Sequence, residues 1–242
     1  MKKNELYIGC SSYTTASWQP LFYPENLPKK NWFDYYCRQF DTYEFNGSFY
    51  RFPTVSNLEQ WYDKTPVGFK FSMKVPKMIT HIKKMEDCDQ EIGDFYTVVT
   101  HGVKDKLACV LWQFPPGFVY TEERLKSIVG KLNGNFKNIV EFRHQSWWSP
   151  QTLATLSEAN ITFCNPSYPG LPDKIIKNTS IGYFRFHGIP KLFYSEYPEK
   201  TIEAFYNDLM SKNFSEAYIY FNNTASAAGI INALQLLKIK NG

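Results

Sequence analysis

The sequence predicts an α/β fold, closed as a (β/α)8 TIM-like barrel and forming a single domain over residues 1–242, and three observations point there. Short apolar and β-branched runs recur about eight times, at intervals of roughly 20 to 40 residues, with amphipathic stretches between them; this is the rhythm of repeated strand–helix units. No Gly-x-Gly-x-x-Gly turn follows the first run and no Walker sequence occurs, which disfavours an open nucleotide-binding sheet. No linker, repeat or low-complexity stretch divides the 242 residues, a length that such barrels occupy as one unit.

The elements follow in order. A first strand, Leu6 to Ser11, leads through Tyr13, Trp18, Phe22 and Tyr23 to a helix over Asn31 to Phe40, with Trp32, Tyr35 and Tyr36 on one face. Strands at Thr42 to Asn46, Phe69 to Lys74 and Leu107 to Gln113 alternate with helical patterns at Asn57 to Thr65 and Asp94 to Val103. Thr121-Glu122-Glu123 reads as the start of a helix reaching Lys131. The strand Ile139 to Arg143 comes next, then a helix over Pro150 to Asn160 with Ser149 as N-cap and proline in its first turn. After the strand Thr162 to Asn165 the pattern lapses. Pro166, Pro169, Gly170 and Pro172 predict an irregular loop with a short turn of helix. Strands Gly182 to His187 and Tyr218 to Phe221, with helices Thr201 to Lys212 and Ala225 to Leu237, complete the series.

Composition narrows the function classes. With 43% hydrophobic and 18% aromatic residues the chain has material for a core, which excludes disorder. A net charge of +4, scattered without a basic run, is a weak argument for an anionic ligand and does not by itself support nucleic-acid binding. The five cysteines are isolated and odd in number, so they read as reduced, buried thiols. The N-terminal apolar run is too short for a signal peptide, and no segment approaches the roughly 20 apolar residues of a membrane helix. A soluble cytoplasmic protein with no membrane partner is expected.

Charged and amide side chains stand inside segments that otherwise read as buried strands: Tyr43-Glu44-Phe45-Asn46, Val140-Glu141-Phe142-Arg143-His144, Tyr183-Phe184-Arg185-Phe186-His187 and Tyr218 to Asn223. Burying an ion costs several kcal/mol, so each needs a partner, a ligand or a water-filled mouth. Parity separates Glu44 and Asn46 from Tyr43 and Phe45, Glu141 and Arg143 from Val140 and Phe142, and Arg185 and His187 from Phe184 and Phe186. The apolar sets suit packing under helices, which turns the polar sets toward the barrel axis. Lys70, Ser72 and Lys74, Gln113, Ser11 and Asn222 join them.

The expected mouth is lined by Glu44, Asn46, Lys74, Gln113, Glu141, Arg143, Arg185, His187 and Asn222, with His81 reaching it from the loop after the third strand. The competing reading is a structural lattice in which Glu44 and Glu141 pair with Arg143 and Arg185. A mixture is also open, with Glu141 and Arg143 structural and the outermost groups left for ligand. His144 reads as a capping or helix-facing residue and His101 as surface. Tyr13, Trp18, Phe22, Tyr23, Phe49, Tyr50, Trp112, Trp147 and Trp148 could stack a base or sugar, though packing is the plainer use. A divalent metal has thin support: the strand ends offer only Glu44, Glu141 and His187, beside arginines and lysines that repel it. No cofactor is expected. No Gly-x-Ser-x-Gly elbow and no Cys with an obvious His partner point to a nucleophile.

Several motifs resemble one family. Gly9-Cys10-Ser11-Ser12-Tyr13 with Trp18, Phe22-Tyr23-Pro24, Glu44 through Tyr50, Ile79-Thr80-His81, Gln113-Phe114-Pro115-Pro116, Glu141 through Trp147, Phe184 through Gly188 and Tyr220 through Thr224 occur in its order. Together they resemble the domain-of-unknown-function 72 family, also called YecE-like, over nearly the whole chain. The resemblance implies a TIM-like barrel and supplies no established activity. Ser12 and Tyr13 stand where Gly and Trp are usual, and Asn165 stands where the sixth strand often ends in Asp.

The functional expectation is a barrel that binds a small phosphorylated or carboxylated molecule, with acid–base turnover as a hydrolase or isomerase left open. Arg143, Arg185 and Lys74 hold the anion, Asn46, Gln113 and Asn222 orient it with His81 nearby, and Glu44 or Glu141 forms an acid–base pair with His187. Two other readings remain: metal-assisted phosphodiester hydrolysis on nucleic acid, and a noncatalytic module that binds nucleic acid or a protein partner.

Overall fold

A computed structural model describes residues 5–242. They group into two compact units, one of residues up to Glu44 together with Asn165–Gly242, the other Phe45–Cys164.

The first unit contains β1 (Glu5–Cys10), α1 (Trp32–Gln39) and most of β2 (Thr42–Phe45), then β7 (Asn165–Ser167), β8 (Ile181–Phe186), α7 (Glu199–Ser211), β9 (Glu216–Phe221) and α8 (Ala228–Asn241). The second runs through α2 (Gly47–Tyr50), α3 (Val55–Asp63), β3 (Lys70–Lys74), α4 (Asp89–Val103), β4 (Leu107–Gln113), α5 (Glu122–Lys131), β5 (Asn138–Glu141), α6 (Pro150–Glu158) and β6 (Thr162–Phe163). The strands form two sheets, ordered β1-β9-β8-β7 and β2-β3-β4-β5-β6. The β1–β9, β7–β8, β8–β9, β3–β4, β4–β5 and β5–β6 pairings are parallel. The α/β class and the alternation are as expected, while the ladder is drawn as two sheets and not as one closed ring.

Two of the helices begin on the caps that the sequence offers. Ser149 Oγ accepts the Thr152 N–H at 3.1 Å, with Pro150 in the first turn of α6. Thr121 Oγ1 accepts the Arg124 N–H at 3.2 Å at the start of α5. The expected strand Thr162 to Asn165 is two short strands: β6 pairs with β5, and β7, carrying Pro166 with no N–H to give, pairs with β8. Nothing in a continuous apolar run marks such a break. Between β7 and β8 the expected irregular loop forms, but without the short turn of helix expected in it, since the prolines leave too few N–H donors there to close one.

Burial follows the aromatic pattern. In the first unit Tyr36 of α1 is fully buried; its hydroxyl donates to the Thr42 carbonyl at 2.9 Å and accepts the Cys10 N–H at 2.7 Å, tying α1 to β1 and β2. A Cβ on Gly9 would meet the Thr42 carbonyl oxygen at 2.4 Å, so only glycine permits this approach. All five cysteines are buried thiols outside any disulfide. Among the described residues no helix is long and apolar enough to cross a membrane.

Register brings strand ends level. In the first unit Cys10 and Phe186 both oppose Phe221, so Ser11, Asn222 and His187, each one residue beyond its strand, form a row. In the second, Gln113 opposes Glu141 directly, at the C-terminal ends of β4 and β5.

Candidate functional site

In the first unit the row from the strand ends is hydrogen-bonded. Ser11 Oγ donates to Asn222 Oδ1 at 2.5 Å, and Asn222 Nδ2 lies 2.7 Å from His187 Nδ1. An amide N–H₂ can only donate, so Nδ1 accepts and the neutral ring carries its proton on Nε2. His187 is fully buried, with Tyr168 edge-on to its ring.

One step deeper lies an ion pair. Arg185 donates from Nε and Nη2 to the two Glu44 oxygens, at 2.9 and 2.6 Å, and Tyr183 Oη donates to Oε2 at 2.8 Å. Glu44 and Arg185 are buried, so a bidentate pair with a third donor is what makes two ions tolerable there. The other parity behaves as the sequence implied: Phe184 and Phe186 pack against Phe205 of α7.

In the second unit the ends of β3, β4 and β5 carry Lys74, Gln113 and Glu141. Glu141 is fully buried and accepts from Arg143 Nε at 2.9 Å, which fixes the guanidinium two residues beyond β5. Lys74 is buried, with its Nζ 3.9 Å from the centre of the Phe49 ring. The same ring stands edge-on to His81, 4.9 Å between centroids. His81 lies on a single π turn, Met78–Ile82, that follows β3. Its Nδ1 is 2.9 Å from Thr80 Oγ1 and its Nε2 is 3.4 Å from Gln113 Nε2, which also donates to the Phe114 carbonyl at 2.7 Å.

The electrostatics of this second cluster are cationic. Burial pushes the His81 imidazole down from 6.5 to about 4, and the charges of Lys74 and Arg143 add to the fall, with Glu141 opposing them. Asn46 precedes α2, where its carbonyl accepts the Phe49 N–H, so it stands beside the ring that bridges Lys74 and His81.

Sequence reasoning therefore picked residues that fall into tight groups, namely Glu44 with Arg185, Asn222 with His187, and Lys74, His81, Gln113, Glu141 and Arg143 around one cluster. It missed Tyr183 and Thr80 as members, and offered Phe49 only as a surface that could stack a base or sugar, not as the ring between Lys74 and His81. Tyr183 was legible, since it shares the parity of Arg185 two residues on; the Phe49 contact depends on the turn of α2 and left no signal. His144 caps the short helix 145–147 by accepting the Ser146 N–H, and His101 is exposed on α4, as expected. Trp18, Tyr23, Trp112 and Trp147 are fully buried, which makes them packing residues. Tyr50 is 75% exposed. Among the described residues no three His, Cys, Asp or Glu side chains converge as metal ligands.

Comparison with known proteins agrees with the motifs. Residues 7–241 match the family model described as protein of unknown function DUF72. The UPF0759 protein YunF of Bacillus subtilis strain 168 is 25% identical, the match covering 97% of this chain and 94% of that protein. The crystal structure of a DUF72 family protein from Thermotoga maritima is 27% identical, with a TM-score of 0.88 over 99% of this chain and 100% of that one. At 8% identity and a TM-score of 0.58, the crystal structure of SacUVDE shares the fold alone, over 99% of this chain and 98% of that one.

Proposed function

The chain belongs to the DUF72 family of proteins of unknown function, so its activity has to be argued from its own side chains, and we propose that it binds a small anionic ligand, phosphorylated or carboxylated, at the C-terminal ends of its parallel strands. The observation that carries this reading is the convergence of Lys74 and Arg143 on a half-buried His81 that contacts Phe49 and Gln113, strong enough to help burial hold that imidazole near 4. Two cations around a neutral ring repel a metal and attract an oxyanion.

The parts divide by chemistry. Arg143, steered by Glu141 through Nε, suits planar recognition of a carboxylate or phosphate, while Lys74 supplies a compact charge. Gln113, His81 and Asn46 supply the polar groups that orient a ligand between them. Arg185 is tied to Glu44 on both oxygens, so in this reading it fixes the local field, and Glu44 and Glu141 serve chiefly to hold arginines. Within the first unit His187 keeps its own arrangement, with Nδ1 engaged by Asn222 and the ring proton on Nε2.

Closure of the strands into a (β/α)8 barrel as one domain is part of the same proposal. Parallel strands in near-sequential order, most of them followed by a helix, support it.

Calorimetric titration of inorganic phosphate and of malonate into the protein tests the anion reading. Saturable binding of at least one is expected, weakening with salt and falling about tenfold or more in Lys74→Met. If neither anion binds, or Lys74→Met binds as the parent does, the reading fails.

A further inference from the structure

The first unit holds a cavity of about 330 Å³ on the opposite side of β8 from Arg185 and His187. Its origin is visible in the chain. The connection from β7 to β8 forms no helix, so the outer faces of these strands are covered only by α7 and by the loop at 172–175, and the space a helix would fill stays hollow. Phe184, Phe186 and Tyr197 form a buried floor, and Phe205 of α7 makes a half-buried wall.

The rings are set edge to face: Phe205 with Phe184 at 73° and with Phe186 at 87°, Tyr197 with Phe186 at 83°, all with centroids 4.8 to 5.1 Å apart. The floor's polar groups are already engaged, since Tyr197 Oη donates to Ser167 Oγ and accepts the Gly188 N–H, both at 2.9 Å. The rim is charged and exposed, with Asp173 and Asp208 against Lys174. Asp208 also meets Lys212 at 3.2 Å, an exposed pair of little strength. Burial raises the Tyr197 phenol, and the Asp173 carboxylate contributes to the rise, so the acidic rim is felt at the floor.

We propose that this cavity is a binding site for a small aromatic amine, its ring continuing the edge-to-face array and its ammonium at the rim beside Asp173 and Asp208. The volume lies at the small end of the roughly 300 to 1,000 Å³ of ligand pockets, which fits a one- or two-ring body. A planar ring gains from the aromatic walls, and the ammonium gains from the two carboxylates at the rim. The site shares no residue with the anion cluster, so it stands whether or not that reading does.

Tryptamine is the probe, with indole-3-acetate as its oppositely charged counterpart, and binding is followed by ligand-observed NMR and calorimetry. Saturable binding of tryptamine is expected, with indole-3-acetate about tenfold weaker or more. Ala204→Trp, on an exposed α7 position that lines the hollow, should fill it and abolish binding while leaving the melting temperature near that of the parent. Asp173→Asn should reduce the preference for the amine severalfold. The proposal is overturned if tryptamine shows no saturable binding, if the two probes bind equally, or if a folded Ala204→Trp still binds. Should that variant not fold, an unchanged preference in Asp173→Asn overturns it.

Discussion

Arg185 grips both carboxylate oxygens of Glu44, at 2.6 and 2.9 Å, with the two side chains fully buried. Removing one partner leaves an ion buried without its counterpart, whereas removing both replaces the pair by apolar contact. Glu44→Gln is therefore expected to cost about 3–5 kcal/mol in urea unfolding, and Glu44→Leu with Arg185→Met much less. A loss under about 1 kcal/mol in Glu44→Gln would show the pair to be weaker than its geometry states.

His81 sets a pH dependence whose sign is fixed. Its imidazole titrates near 4 in the folded chain against 6.5 ordinarily, so between those values the unfolded chain binds the extra proton. Stability should thus rise with pH from about 4 to 6.5 and lose this contribution's slope above. Unfolding midpoints across that window should be flatter in His81→Asn than in the parent. Parallel curves for the two proteins would contradict the assignment.

The Asn222–His187 contact dictates a tautomer. Ring ¹⁵N shifts should show His187 with its proton on Nε2 at neutral pH, and Asn222→Ala should let the Nδ1-protonated form appear. A ring protonated on Nδ1 in the parent would mean that the Asn222 amide is turned the other way.

Gly9 tests the packing of the first unit. A methyl there would press on the Thr42 carbonyl and the Tyr36 hydroxyl, at 2.4 and 2.8 Å from the added carbon. Gly9→Ala is expected to destabilise by about 1–3 kcal/mol, seen as a lower denaturant midpoint with an unchanged slope. An unchanged midpoint would refute the close approach.

Much of this was legible in the chain because strand parity is a local rule. Glu44 and Arg185 are 141 positions apart, yet each declared itself by interrupting an apolar run with an inward-facing charge. Leu107–Gln113 was bounded correctly at both ends, its apolar run ending on the amide. Arg143 was placed inside a strand that stops at Glu141, since nothing local ends pairing there. The division of Thr162–Asn165 into β6 and β7 was hidden for the same reason: partner choice depends on distant strands. The cation–ring contact of Lys74 with Phe49 depends on the short helix α2, whose four residues carry no periodicity to read. The hollow beside α7 was foreshadowed by the proline-rich segment that could not become a helix.

The central claim is that Lys74 and Arg143 prepare the surroundings of His81 for an anion. Its most direct test is the pH titration of the His81 ring by NMR, without and with saturating inorganic phosphate. A bound anion offsets the two cations, so the midpoint should move upward from about 4 with phosphate and move far less in Lys74→Met. A midpoint that phosphate leaves in place, in protein that remains folded, would contradict the claim.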